Sequence, residues 1–219
     1  MLSMKKLILT SSGFLIPSVR SIILEHLPSQ RPLKVAYIST ASKVVKDDTY
    51  ARRDVEIMNE LGFDVTEIDL AEVEAAYLRD TLPQHDVLYV QGGNGFYLLH
   101  HVRRSGFMEI AKPLVENGSL IYVGKSAGTY LACPTIEMHT WSNKDWRRFG
   151  VEDYTAMSLV PFLVKAHYAP DKEPEIRRGM EKSPHPLWAI SNEQVLLVQG
   201  DEVTAVGEGE ATHIDIAHR

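Results

Sequence analysis

The sequence predicts an α/β fold: a mostly parallel sheet with helices on both faces and a β-hairpin near the C-terminal end. Three observations predict it. Short apolar, β-branched runs alternate with amphipathic segments of helical period from residue 6 to about residue 128, the order that places parallel strands beside crossover helices. The connections are short and marked by glycine. The chain has 219 residues, 44% of them hydrophobic, which suits one domain, residues 1–219, with a substantial core.

Each element follows from a local signal. Residues 6–10 form an apolar run ending in Ser11-Ser12-Gly13, a first strand. Ser18 offers an N-cap to a helix that carries Val19, Ile22, Ile23 and Leu27 on one face and stops at Pro28. Residues 33–39 read as a second strand. Residues 50–61 are an amphipathic helix stopped by Gly62. Residues 65–70 and 87–90 are strands three and four, the latter ending in Gly92-Gly93-Asn94. Residues 96–104 and 107–116 are helices closed by Gly106 and Gly118, and residues 120–123 are the next strand. The segment 139–153, polar and carrying Trp141 and Trp146, reads as an excursion from the sheet, a flap or a partner surface that makes a homodimer plausible. Strand signals return at 159–165, 187–190 and 195–198, and Gly200-Asp201 turns into 203–206.

Bulk properties exclude several classes. The net charge of −6 argues against a nucleic-acid partner, since phosphate binding needs clustered Lys and Arg. The one cysteine allows no internal disulfide and suits a reducing compartment. No apolar stretch approaches the ~20 residues that span a bilayer. Leu7-Ile8-Leu9 is too short for the core of a signal peptide. A cytoplasmic protein without membrane contact is expected. No metal-ligand spacing is present, and no cofactor is expected.

The chemistry concentrates at Gly124-Lys125-Ser126-Ala127-Gly128, directly after an apolar run. Strand, sharp turn and helix in that order hold a serine hydroxyl up at the end of a sheet. In open α/β sheets, sites form at such C-terminal strand ends. Gly-Lys-Ser also resembles the end of a phosphate-binding loop, but the residues before it are strand. Gly93-Asn94-Gly95 lacks the third glycine of a dinucleotide fingerprint, with Leu98 in its place. A dyad of Ser126 with Lys125 is disfavoured because neighbouring side chains diverge in a tight turn.

A serine nucleophile needs a base, an orienting group and an oxyanion hole. Of nine histidines, most fall in helices, in the polar C-terminal segment or at the opposite strand ends. His139 lies in the Trp-bearing excursion. His167 closes an apolar run and precedes Tyr168-Ala169-Pro170, so it can face the same edge as Ser126. For the acid, Glu193 follows residues 187–190 at a strand exit; Glu137, Asp145 and Asp153 compete from the excursion. Backbone N–H groups of Gly93 and Ala127 are the oxyanion candidates. Cys133 reads as an inert buried thiol.

Taken together, Ser39-Thr40-Ala41-Ser42, Gln91-Gly92-Gly93-Asn94 before Phe96-Tyr97-Leu98-Leu99, Gly124-Lys125-Ser126-Ala127-Gly128, Ala132-Cys133-Pro134-Thr135-Ile136 and Ala166-His167-Tyr168 resemble the peptidase E family. These are the S51 serine peptidases, which include aspartyl dipeptidase and cyanophycinase. The resemblance covers nearly the whole chain. It implies a class I glutamine-amidotransferase-like fold and a Ser-His-acid mechanism acting on small peptides. It assigns Ser126 as nucleophile, His167 as base, and Gly92, Gly93 and Asn94 as the oxyanion and substrate-binding loop. The late acid falls on Asn192 or Glu193 according to register, and Glu193 is the carboxylate there. Four positions depart from the family pattern: Gly95 replaces Thr, Thr129 replaces Ala, Ala166 replaces Pro, and the place of an acid after Pro-Thr-Ile falls near Trp141. Arg177 and Arg178 lie where aspartyl dipeptidases hold a substrate Asp, and Lys125 is a further candidate for a substrate carboxylate. Two rivals remain: an α/β-hydrolase-type esterase, whose histidine would come after the acid, and an inactive sensor or scaffold of the same fold.

Overall fold

The computed structural model describes residues 4–30, 32–142 and 147–215. Asp145, Trp146 and His218 lie outside the described residues. The chain runs β1 (Lys6–Thr10), α1 (Pro17–Glu25), β2 (Lys34–Ile38), α2 (Thr49–Glu60), β3 (Asp64–Ile68), α3 (Ala75–Thr81), β4 (Val87–Val90), α4 (Gly95–Arg104), α5 (Phe107–Glu116), β5 (Ile121–Lys125) and α6 (Ala127–Ala132). It continues through β6 (Leu163–Lys165), α7 (Glu173–Met180), β7 (Leu187–Ala189), β8 (Gln194–Gln199), β9 (Glu202–Gly207) and β10 (Thr212–Ile214).

The central sheet has the order β3-β2-β4-β5-β1-β8-β9. Its first five strands are mutually parallel, and β8 and β9 close it as an antiparallel hairpin. Because successive strand residues point to opposite faces, each parallel strand feeds two cores. Leu7, Leu9, Ala36, Ile38, Leu88, Val90 and Tyr122 enter one, under α3 to α6. Ile8, Val35, Tyr37, Val87, Tyr89 and Val123 enter the other, under α1 and α2. Strands this apolar on both sides are what a sheet covered by helices on both faces requires.

A smaller sheet, β10-β7-β6, packs on the first of these cores. The expectation for residues 159–165 was one long strand. The strand is only Leu163–Lys165, since Pro161 cannot donate to a ladder. Helix α1 begins at Pro17 rather than being capped by Ser18; proline's fixed φ suits the first helical position.

The parallel strands end in register. Thr10 lies beside Lys125, Val90 beside Gly124, and Lys165 beside Ala189 in the smaller sheet. The C-terminal ends of β1, β4, β5, β6 and β7 therefore open onto one rim. Helix α6 comes close against β4 at that rim: a Cβ on Gly128 would lie 2.0 Å from the Val90 carbonyl oxygen, so only glycine permits the contact.

Candidate active site

Between β5 and α6, Ser126 adopts φ 51°, ψ −106°. A non-glycine residue held there costs about 1–3 kcal/mol and persists only when its surroundings impose it. The constraint comes from β1. The Ser126 N–H donates to the Thr10 carbonyl at 2.9 Å. The Thr129 hydroxyl lies 2.7 Å from the Thr10 carbonyl and 2.9 Å from that of Gly124, and accepts the Thr10 N–H at 3.0 Å. Thr129, one of the departures noted above, thus fastens the turn to the neighbouring strand.

His167 reaches the same rim from the end of β6, and also at positive φ, 59°. Its N–H donates to Ser11 Oγ at 3.0 Å, and Ser11 Oγ donates to the Ile190 carbonyl at 3.2 Å. One hydroxyl after β1 thereby ties the ends of β6 and β7 together. The Ser126 hydroxyl meets His167 Nε2 at 2.9 Å. His167 Nδ1 lies 2.7 Å from Asn192 Oδ1. An amide oxygen at Nδ1 fixes that nitrogen as the N–H and leaves Nε2 with its lone pair toward the serine. Ser12 Oγ holds the Asn192 carbonyl at 2.7 Å.

Asn192, rather than Glu193, lies against the imidazole. The Glu193 carboxylate accepts from Ser191 Oγ at 3.2 Å, and its carbonyl accepts the Glu208 N–H at 3.4 Å. Asn192 and Glu193 lie in the turn before β8, where Asn192 lines the cleft and Glu193 folds back on Ser191. Of the competing acids, Asp153 accepts from Thr155 and pairs with Arg103; the Glu137 N–H donates to Thr135 Oγ1, and its carboxylate Oε1 is buried with no hydrogen-bond partner among the described residues.

The loop after β4 divides its amides. The Gly92 N–H donates to Gln91 Oε1 at 2.6 Å, and the Asn94 N–H to the Ala41 carbonyl at 2.8 Å. The Asn94 side chain caps α4 through Tyr97 N–H at 3.0 Å and donates to the Arg147 carbonyl at 3.1 Å. The Gly92 and Asn94 amides are thus engaged within the loop, and both residues also line the cleft. The N–H groups of Gly93 and Ala127 have no hydrogen-bond partner among the described residues, which is what an oxyanion hole needs.

A cleft of about 1340 Å³ opens over these groups, lined by Ser126, His167, Gly93 and Asn192. Lys46, Arg147, Lys165 and Lys172 also line it, with Glu175 as the carboxylate among its lining residues. Lys165 lies 3.6 Å from Glu175 and donates to the Met138 carbonyl. Of the cations expected for a substrate carboxylate, Lys125 binds Asp54 and Arg177 pairs with Glu173, and neither Arg177 nor Arg178 lines the cleft. Gly95, another departure, makes room for a side chain from the excursion: a Cβ there would lie 2.1 Å from His139 Nε2. His139 is buried against Tyr130 and Phe96. Burial first, then the charges of Lys165 and His167, push it down to about 3. Burial pushes the Cys133 thiol up to about 12, so it is inert. Half-buried Trp141 packs on the core.

A strained serine at a strand-to-helix turn, an imidazole on its hydroxyl and two open N–H groups define a serine-hydrolase site on a doubly covered α/β sheet. Sequence comparison narrows the class. The family model for peptidase family S51 matches residues 7–206, and the chain belongs to that family, a peptidase-type hydrolase. It is 32% identical over 206 residues to an uncharacterized peptidase of Listeria innocua, covering 91% of this chain and 95% of that protein. It is 30% identical over 176 residues to peptidase E of Salmonella typhi, covering 78% and 67%. The crystal structure of a peptidase E-type protein from Listeria monocytogenes EGD-e superimposes with TM-score 0.82 at 27% identity, covering 94% of this chain and 100% of that one.

Two measurements test this geometry. If Asn192 orients the imidazole, Asn192→Ala lowers kcat about 10²-fold and Glu193→Gln leaves it within about twofold of wild type. Asn192→Asp moves the acid limb of the pH–rate profile upward, because a carboxylate stabilises the imidazolium. The reverse ranking of the Ala and Gln variants would restore Glu193. Buried His139 makes the fold acid-sensitive. Its folded value, about 3, lies below the unfolded ~6.5, so between them only the unfolded chain takes up the proton. Stability is full above the upper value and falls as pH drops through the interval. Urea unfolding at pH 7 and pH 5 should show wild type losing about 2 kcal/mol more than His139→Gln; equal losses would contradict the burial argument.

Proposed function

We propose that this serine peptidase hydrolyses small peptides through an acyl-enzyme formed on Ser126. The observation that carries the proposal is the 2.9 Å contact between Ser126 Oγ and His167 Nε2 at the floor of the cleft. His167 takes the hydroxyl proton as Oγ attacks the scissile carbonyl carbon. The N–H groups of Gly93 and Ala127 receive the developing oxyanion, a donor of this kind contributing about 3 kcal/mol. His167 then gives its proton to the leaving amine. Water, deprotonated by the same imidazole, releases the acyl group and regenerates Ser126. Asn192 holds the tautomer throughout without carrying charge, the arrangement known from Cys-His-Asn sites.

The charges lining the cleft support peptides that carry a carboxylate near the scissile bond. Lys46, Arg147, Lys165 and Lys172 outnumber Glu175 on a chain whose net charge is −6. No helix among the described residues is long and apolar enough to cross a membrane. The lone cysteine, buried and reduced, supports a cytoplasmic setting.

Hydrolysis of an Asp-X, Gly-X and Lys-X dipeptide panel, followed by amine release, tests the proposal. Wild type should cleave at least one acidic member faster than the Lys-X members. Ser126→Ala and His167→Ala should each lose about 10³-fold or more. Cleavage that survives Ser126→Ala would assign the activity to another group.

A further inference from the structure

Beneath the rim lies a buried polar cluster that the reaction described above does not use. Its centre is Asp54 of α2, which is fully buried. One oxygen, Oδ2, receives three donors: Lys125 Nζ at 2.6 Å, Gln91 Nε2 at 2.7 Å and Tyr89 OH at 3.0 Å. The other oxygen, Oδ1, has no partner among the described residues. All the binding therefore converges on one atom of one carboxylate.

The residues it gathers are the ones that precede the two working turns. Lys125 is the residue before Ser126. Gln91 is the residue before Gly92, and its Oε1 accepts the Gly92 N–H at 2.6 Å. The amide has a single consistent orientation: its nitrogen reaches both Asp54 and Tyr37 OH, the latter at 2.7 Å, which leaves its oxygen for Gly92. One helical turn before Asp54 on the same helix, Tyr50 OH donates to the Gly92 carbonyl at 3.2 Å, and its ring lies 5.0 Å from Lys125 Nζ. Residues four apart share a helix face. Helix α2 thus grips the nucleophile turn and the Gly92–Gly93 turn from below with two side chains.

We propose that Asp54 is a positioning residue, which through Lys125 and Gln91 sets the Ser126 hydroxyl and the Gly93 N–H at their working separation. The arrangement is costly if its only purpose is stability. A buried ion pair contributes little net stability over well-packed apolar groups of the same volume. Burial pushes the Lys125 ammonium below its usual range while Asp54 opposes the shift. Burial holds Tyr37 and Tyr89 above theirs, so both remain O–H donors. The inference rests on Ser126 being the nucleophile.

Phosphonylation of Ser126 by a fluorophosphonate probe separates positioning from folding, because its maximal rate and its half-saturating concentration are read independently. Wild type should label and Ser126→Ala should not. Loss of label in Asp54 variants alone then concerns positioning, and an unlabelled wild type overturns both readings. Asp54→Asn should lower the maximal rate about 10²-fold, the cost of a misplacement near 1 Å, with half-saturation within about twofold. The double variant Asp54→Asn/Lys125→Met removes both buried charges and should restore the thermal midpoint without restoring the rate. Recovery of both would reduce Asp54 to a structural role and overturn the proposal. Gln91→Met keeps the ion pair and cuts only the arm to Gly92. It should also slow labelling by about tenfold or more; a wild-type rate there would equally overturn it.

Discussion

Ser126 holds a backbone conformation that an L-residue adopts only under compulsion, and the whole rim is arranged around supplying it. Strand β1 is the main source. Its last residue, Thr10, bonds both the Ser126 N–H and the Thr129 hydroxyl. The two residues that follow it, Ser11 and Ser12, reach in the other direction to His167, Ile190 and Asn192. A strand in the middle of one sheet therefore sets the spacing between a serine of that sheet and a histidine of another. That spacing has to be right to a few tenths of an ångström for proton transfer. It is fixed by short backbone and hydroxyl contacts that leave little slack.

The polar cluster under the turns extends the same logic to a second layer. Interiors are close-packed and transmit strain, but apolar packing alone tolerates small slips. A carboxylate that receives three hydrogen bonds at one oxygen does not slip without leaving buried donors unmet, each costing about 1–3 kcal/mol. The chain uses this stiffness where two turns must keep a common register, and uses aliphatic and aromatic packing under α3, α4 and α5, where no such demand exists.

Much of this was legible in the residues. Apart from α3, the strands and helices from β1 to α6 carry alternation of period and glycine stops, and their type follows from them. Helix α3 escaped because only Leu78 of its seven residues is buried, too little to mark a period. Helix α7 escaped for the same reason, with Ile176 its one buried residue. That Ser126 and His167 meet at one rim was legible because a strand end points a side chain there. The neighbour on the far side of the imidazole was not. Choosing Glu193 rests on charge, whereas the turn at 192–193 decides which side chain faces the cleft. The resemblance places Asn94 in the oxyanion and substrate-binding loop; its side chain also caps α4, the ordinary work of asparagine at that place. Asp54 did leave a signal: a charge in the buried stripe Ala51, Asp54, Ile57, Met58 of α2. A carboxylate there must have buried partners, though nothing in the stripe names them.

The central claim is that Ser126 Oγ attacks a carbonyl whose oxygen moves into the space between the Gly93 and Ala127 amides. A crystal structure of the protein after reaction with a fluorophosphonate tests it most directly. The account predicts continuous density from Ser126 Oγ to phosphorus, with the phosphonyl oxygen about 2.7–3.1 Å from both amide nitrogens. An adduct on any other side chain, or a phosphonyl oxygen turned to solvent away from those amides, would contradict it.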